Sequence, residues 1–386
     1  MASVSQFNPM APETVECPFP FYAAMREEAP VYRVPGLDFF IVSKYDDAMR
    51  VLRDPVTYSS RSGPGLRSEP DEEIMAIQRE GWPPVDTLLT NDPPEHSRFR
   101  NLVNRAFSAR RVQEMEPGIR KIANELIDGF IDDGRVELVK QYAYPLPMMV
   151  IADALGVPRS DRDKFKRWSD DSVEPLSGFI TRERALECAR SIVEFQHYFA
   201  AKLDERRREP RDDILTSLID ARIDGERPLD TAEMLGILQQ LLVAGNETTT
   251  NLIGSGMMLL CQHPEQMAAL RADPSLIPNF VEEALRLESP VQGLFRVATV
   301  ETELGGVHIP AGSRLVVMYA SANRDEEVYE RSEEFDVCRS NAKTHLETLL
   351  GRLTNIRFAE GKNDFRHVPS FILRGLKQLH LEFDPA

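Results

Sequence analysis

The sequence predicts a mainly α-helical protein with small β-sheets, a single domain over residues 1–386 built around one long central helix. Three observations carry that expectation. Between roughly Met234 and Leu260, apolar residues recur at helical spacing: Leu238, Leu241 and Leu242, then Leu252, Ile253, Met257 and Leu260. That spacing makes a helix buried on most sides. Amphipathic helical patterns fill about 117–133, 143–155, 160–171, 182–208 and 211–221, punctuated by Pro145, Pro147, Pro158 and Pro210. Strand patterns are short, and neither repeats nor low-complexity linkers divide the chain.

Taken in order, residues 1–17 form an N-terminal extension, and Pro18 to Ala29 reads as a helix stopped by Pro30. Val31–Val34 and Asp38–Val42 read as two strands around the Pro35-Gly36 turn, and Ser43 as the cap of a helix over 44–53. Ser59 to Pro84 is a long loop with room for one helical turn, a length that is usually functional or disordered. Asn91 to Arg100 opens a helix and leads into the most basic segment, with Arg98, Arg100, Arg105, Arg110 and Arg111. His96 and Arg100, four apart, share a face. Such a segment is either a solvated face or a seat for buried carboxylates, an acidic protein partner, or both. Asp170 to Thr181 interrupts two helices and is a lid segment by pattern.

The central helix contains Gly245, Glu247 and the hydroxyl residues Thr248, Thr249 and Thr250. Gly costs about 1 kcal/mol relative to Ala inside a helix. A Thr hydroxyl can bond back to the carbonyl four residues earlier. A groove, an acid and an alcohol on a buried helix suit proton movement beside something bulky; a core helix with satisfied threonines is the other reading. Beyond it, helices start at His263-Pro264 and Asp273-Pro274, and the second carries Glu283 and Arg286 on one face. Arg296 stands in an apolar run and calls for an anion. Strands follow around Gly305-Gly306 and Pro310-Ala311-Gly312, and again between Asn355 and Phe383.

A formal charge of −16 argues against nucleic acid as a partner. The four cysteines, Cys17, Cys188, Cys261 and Cys338, are scattered without CxxC or Cys/His clusters, so neither a disulfide framework nor a zinc site is expected. No apolar run of about 18 residues and no signal-like start is present, which predicts a cytoplasmic protein without a membrane anchor.

DPPEHSRFR at 92–100, AGNETT at 244–249, EALR at 283–286, FRVAT at 295–299, ANRD at 322–325 and FDVCR at 335–339 together resemble the cytochrome P-450 family. The resemblance runs from about Pro18 to Phe383, and the N-terminus fits the soluble bacterial branch. It implies a haem b cofactor, with His96, Arg100 and Arg296 on the propionates and Ala244 and Gly245 forming a groove for oxygen and substrate over the iron. Glu247 and Thr248 match the acid–alcohol pair that delivers protons during oxygen activation. Glu283, Arg286 and Arg339 match a buried structural triad, with Cys338 a bystander in its loop. The substrate pocket would lie between Thr87, Leu88 and Leu89, Val243, the stretch Val291, Gln292 and Leu294, and Phe371 and Ile372. The implied reaction is hydroxylation or epoxidation of an apolar small molecule with O2 and electrons from NAD(P)H through a ferredoxin or flavodoxin-type donor. Arg105, Arg110 and Arg111 would face that donor.

The chain departs from the family in one place. A glycine-rich loop bearing the iron-ligating cysteine should follow soon after Arg339, yet the sequence passes through His345-Leu346 straight to Glu347, as if that loop were deleted near 346–347. His345 matches the residues leading into the loop, and no metal ligand is assigned. Because the thiolate drives O–O cleavage, the chain as written is expected to be inactive with weak or no haem retention, whereas a loop-complete protein would be a haem-thiolate monooxygenase. The alternatives are a recent pseudo-enzyme and a haem-free auxiliary or binding protein of the family, for example a glycosyltransferase partner. The last predicts an eroded central helix, and AGNETT is intact.

Overall fold

The N-terminal segment follows its pattern. After α1 (Pro12–Glu16), α2 (Phe19–Glu28) stops before Pro30, and β1 (Val31–Arg33) pairs antiparallel with β2 (Phe39–Val42) across a turn where Gly36 holds φ at 77°. Helix α3 (Tyr45–Arg53) is not capped by Ser43, whose hydroxyl donates to Pro30 O. Its first N–H is met from far along the chain, Tyr45 N–H donating to Asp325 Oδ2 at 2.9 Å. The structure is a computed structural model that describes residues 3–385 apart from 62, 64–70, 107–108, 178, 224 and 340–351. His345, Leu346 and the expected junction at 346–347 lie outside the described residues, as does Gly178.

Within the long 59–84 stretch lies α4 (Glu72–Gln78), capped by Asp71, after β3 (Tyr58–Ser59). Helix α5 (Glu95–Ala106) starts where the proline pair predicts, and α6 (Ala109–Asp128) begins earlier than expected and carries Pro117 inside it. Then come β4 (Arg135–Glu137), α7 (Pro145–Ala154), α8 (Arg162–Val173), α9 (Arg182–Arg208) and α10 (Ile214–Asp220). The break at 170–181 is shorter than predicted. Asp170 and Asp171 are still in α8, and only a single 3-10 turn, Glu174–Ser177, separates them from the approach to α9, which Thr181 caps.

The central helix, α11 (Thr231–Gln262), has 32 residues and starts from a capping box between Asp230 and Glu233. Arg98 and Arg227 both donate to the Glu233 carboxylate, at 2.9 Å and at 2.7 and 2.8 Å, which ties α5 to the head of α11. After α12 (Pro264–Ala272) and α13 (Ile277–Leu287) come β5 (Leu294–Ala298), β6 (Thr302–Leu304), β7 (Val307–Ile309), β8 (Arg314–Val317) and α14 (Tyr319–Ala322). Strands β9 (Leu353–Phe358) and β10 (His380–Pro385) close the chain. One sheet runs β1-β2-β8-β5-β3, parallel only between β2 and β8; a second runs β4-β10-β9; β6 and β7 form a hairpin. The two halves of α11 enter different cores. Met234, Leu238 and Leu242 pack with Phe99, Trp168 and Phe199, whereas Ile253, Met257 and Leu260 pack with Phe280, Val281 and Ala284. Each such side chain contributes about 1.5–3 kcal/mol on burial, so the polar stretch between the halves is held from both ends.

Candidate active site

Between those two cores α11 turns an open face outward. Ala244 is exposed although it sits mid-helix, and the Thr248 hydroxyl donates to Ala244 O at 2.6 Å, the back-bond expected of a threonine there. Gly245 has a different job from the groove-forming one expected. A Cβ at that position would meet Ile151 Cδ1 at 2.8 Å, so the missing side chain lets α7 approach α11. Asn246 is fully buried and its amide donates to Ser169 Oγ of α8 at 2.8 Å, while Thr250 donates to Ala143 O at 3.2 Å. One face of the polar stretch therefore locks the helix to its neighbours, and the other leaves Ala244 and Thr248 accessible.

Glu247 is half-buried. Burial, and next the Asp170 carboxylate, push its carboxyl up to about 7, against a smaller opposing pull from the Lys166 ammonium. The folded protein therefore keeps this proton well above the ordinary value of 4.5, and stability falls as pH rises between the two. Glu247→Gln removes that loss. The variant should exceed the parent by about 1–3 kcal/mol at pH 8 and match it at pH 4, compared by urea unfolding at both values.

His96 is half-buried and Arg100 exposed on α5, and neither side chain makes a hydrogen bond or ion pair with another described residue. Arg296, on β5, donates from Nη1 to Phe295 O at 2.9 Å and has no carboxylate within ion-pair reach among the described residues. The head of α5 and β5 lie side by side. Asp92 accepts from Ser60 N–H at 2.7 Å and from the Ser59 hydroxyl, and Ser59 pairs with Val297, next to Arg296. In a chain with 62 acidic against 46 basic residues, cations left without a carboxylate suit an anionic ligand.

The pocket residues separate into two groups. Val243, Val291, Leu294 and Leu88 are half-buried and Leu89 is 42% exposed, so these can meet a ligand. Phe371 and Ile372 are buried in an apolar cluster with Phe39 and Phe295. Gln292, expected in the pocket, is 3% exposed and its amide is used internally: it accepts from Tyr22 Oη at 3.1 Å and reaches the carbonyls of Phe371 and Leu373 at 3.5 Å. Thr87 is fully buried, its hydroxyl accepting from Gln240 Nε2 at 2.7 Å. Gln240, unmarked by the sequence pattern, also accepts Leu89 N–H at 3.1 Å and so clasps the 87–89 segment to α11 one turn before Ala244.

On the far side, Glu283 and Arg286 form a fork-to-fork pair at 2.8 Å for both contacts, and Arg339 Nε joins Glu283 Oε1 at 3.1 Å. All four cysteines are described, and none is placed as an iron ligand. Cys17 is exposed beyond α1. Burial pushes the Cys188 thiol up to about 11 and the Cys261 thiol up to about 12, the reverse of what a metal-binding thiolate needs. Cys338 is exposed in the loop that Arg339 anchors. Of the parts a haem needs, the free cations and the open face of α11 fit; the axial donor does not. Asp171, Glu174 and Cys188 cluster closely enough for a cation, but Arg184 already pairs with both carboxylates.

The family model "Cytochrome P450" matches residues 29–369. The chain is 37% identical to cytochrome P450 107B1 of Saccharopolyspora erythraea, over 93% of each protein. It is 33% identical to 6-deoxyerythronolide B hydroxylase of the same organism, over 94% of this chain and 95% of that one. Among solved structures, cytochrome P450 CYP109Q5 from Chondromyces apiculatus superposes with a TM-score of 0.85 at 37% identity, over 99% of both chains.

Proposed function

Because the chain belongs to the cytochrome P450 family, whose members bind haem b iron through a cysteine thiolate, we propose that its loop-complete form is a haem-thiolate monooxygenase that hydroxylates or epoxidises an apolar small molecule. The observation that carries this reading is the Glu247–Thr248 pair on α11, an acid raised so that it titrates near neutrality, next to an alcohol at the open face. Bound haem supplies the oxygen activation. This chain's own residues would do the rest: Arg100, Arg296 and His96 hold the propionates, Ala244 leaves room above the ring, and Glu247 and Thr248 supply protons. A hydroxylase among the relatives supports the same reaction class.

Electrons would come from a ferredoxin or flavodoxin-type donor. Of the arginines expected to meet it, Arg105 donates to Arg222 O and Arg111 pairs with Asp212 at 3.0 Å, so both are engaged within the protein. Arg110 pairs with Glu114 at 2.8 Å with 88% of its side chain exposed, and an acidic partner can replace so exposed a contact at little cost. A cytoplasmic setting suits such a donor, and among the described residues no helix is long and apolar enough to cross a membrane. The test is Thr248→Ala in a protein completed with a cysteine-bearing loop between Leu346 and Glu347. Product formed per NAD(P)H consumed should fall about tenfold with electron consumption retained. Unchanged coupling removes Thr248 from the role.

A second reading, a haem-free auxiliary protein of the family, is favoured by one observation: no cysteine follows Cys338 in the sequence. An intact Glu247–Thr248 pair weighs on the other side.

A further inference from the structure

The acid on α11 does not stand alone. On α8, Asp170 accepts from the Tyr144 hydroxyl at 3.1 Å and from Lys166 Nζ at 2.7 Å, and the Lys166 ammonium lies 4.4 Å from the centre of the Tyr144 ring. Ser169 and Asn246, the residues immediately before Asp170 and Glu247, are bonded to each other at 2.8 Å. That bond joins α8 to α11 inside the core, and Asp170 and Glu247 are the next residues along the two helices. Tyr144, at the head of α7, brings a third element to the cluster through its bond to Asp170. The groups acting on Glu247 are Asp170 and Lys166, both from α8; α13 meets α11 further along, where Phe280 packs on Gly256 without a charge.

We infer that Asp170 is a positioning residue for Glu247: anchored by Tyr144 and Lys166, it holds its carboxylate beside Glu247 at the α8–α11 contact. Two carboxylates at one contact resist ionising together. Burial alone raises Glu247, Asp170 raises it further, and Lys166 opposes both. Neutralising Asp170 and removing Lys166 must therefore move Glu247 in opposite directions, which a purely structural role for α8 would not produce. The value of the arrangement rests on the monooxygenase reading, since a proton retained at neutrality is useful to a proton-delivering acid.

The test is an infrared difference titration of the carboxyl band lost in Glu247→Gln, followed in the parent, Asp170→Asn, Asp170→Glu and Lys166→Met backgrounds. It needs neither bound haem nor turnover. Asp170→Asn should lower the Glu247 midpoint by about one unit, Lys166→Met should raise it, and Asp170→Glu should keep it near the parent value. A midpoint unmoved by Asp170→Asn overturns the inference. Should Asp170→Asn fail to fold, the Lys166→Met shift decides, and a fall or no change there overturns it equally. The monooxygenase reading fails separately, when the loop-complete protein takes up no haem and forms no product while these midpoints shift as stated.

Discussion

Glu283→Ala is expected to cost about 3–5 kcal/mol of folding stability, enough to leave little soluble protein. Glu283 is 3% and Arg286 6% exposed, and among the described residues the acid is the counter-charge shared by two guanidiniums, those of Arg286 and Arg339. It also accepts Asp336 N–H at 3.1 Å. Arg286 spends its remaining donors on the carbonyls of Asn323, Ser332 and Glu334, and Arg339 on those of Glu330, Arg331 and Glu334. One carboxylate thus fixes the whole 323–339 segment on α13. Removing it leaves a buried charge unpaired, whereas losing the exposed Arg110–Glu114 pair by Glu114→Ala should change stability by under about 0.5 kcal/mol. Urea midpoints of the two variants test the contrast. A Glu283→Ala loss below about 1 kcal/mol would show that water or another group replaces the acid.

The sequence makes the spacing of that pair visible but not its burial. Glu-x-x-Arg says only that two side chains share a helix face; their environment comes from a segment some fifty positions away folding over them. The same limit explains the other differences. Ser43 looked like a cap because it precedes a helix, but Asp325 supplies the carboxylate and frees Ser43 to bond Pro30. The resemblance implies that Gln292 and Thr87 stand in the substrate pocket, yet their side chains bond Tyr22 and Gln240, which lie far away in sequence. Local pattern reports what a residue could bond and is silent on what the fold brings to it.

The central helix was legible for the opposite reason: its signals are local. The 3.6-residue apolar period and the Thr248 back-bond both lie within one or two turns. Gly245 shows where this stops. A missing side chain looks the same in sequence whether it leaves a groove for a ligand or admits a neighbouring helix, and here Ile151 takes the space. Asp170, read as part of a lid, is helical and bound into the contact beside Glu247 because Ser169 and Asn246 join across two elements.

The chain as it stands should give no red-shifted Soret band when mixed with haem, reduced and exposed to carbon monoxide, and inserting a cysteine-bearing loop between Leu346 and Glu347 should restore it. The reason is the donor set. Cys188 and Cys261 are thiols whose burial opposes ionisation, Cys17 lies at the other end of the chain, and Cys338 is next to an arginine committed to Glu283. A red-shifted band from the unaltered chain, abolished by Cys338→Ser, would instead make Cys338 the ligand. In the loop-complete protein, Arg100→Ala and Arg296→Ala should each weaken haem binding about tenfold or more, since on the proposed reading each would remove a charge-assisted bond of about 1.5–3 kcal/mol to a propionate. Cations already paired to carboxylates would show no such loss, and Arg110→Ala serves as that control. If the loop-complete protein takes up no haem, the free cations have another anion to meet, and the auxiliary-protein reading replaces the enzyme.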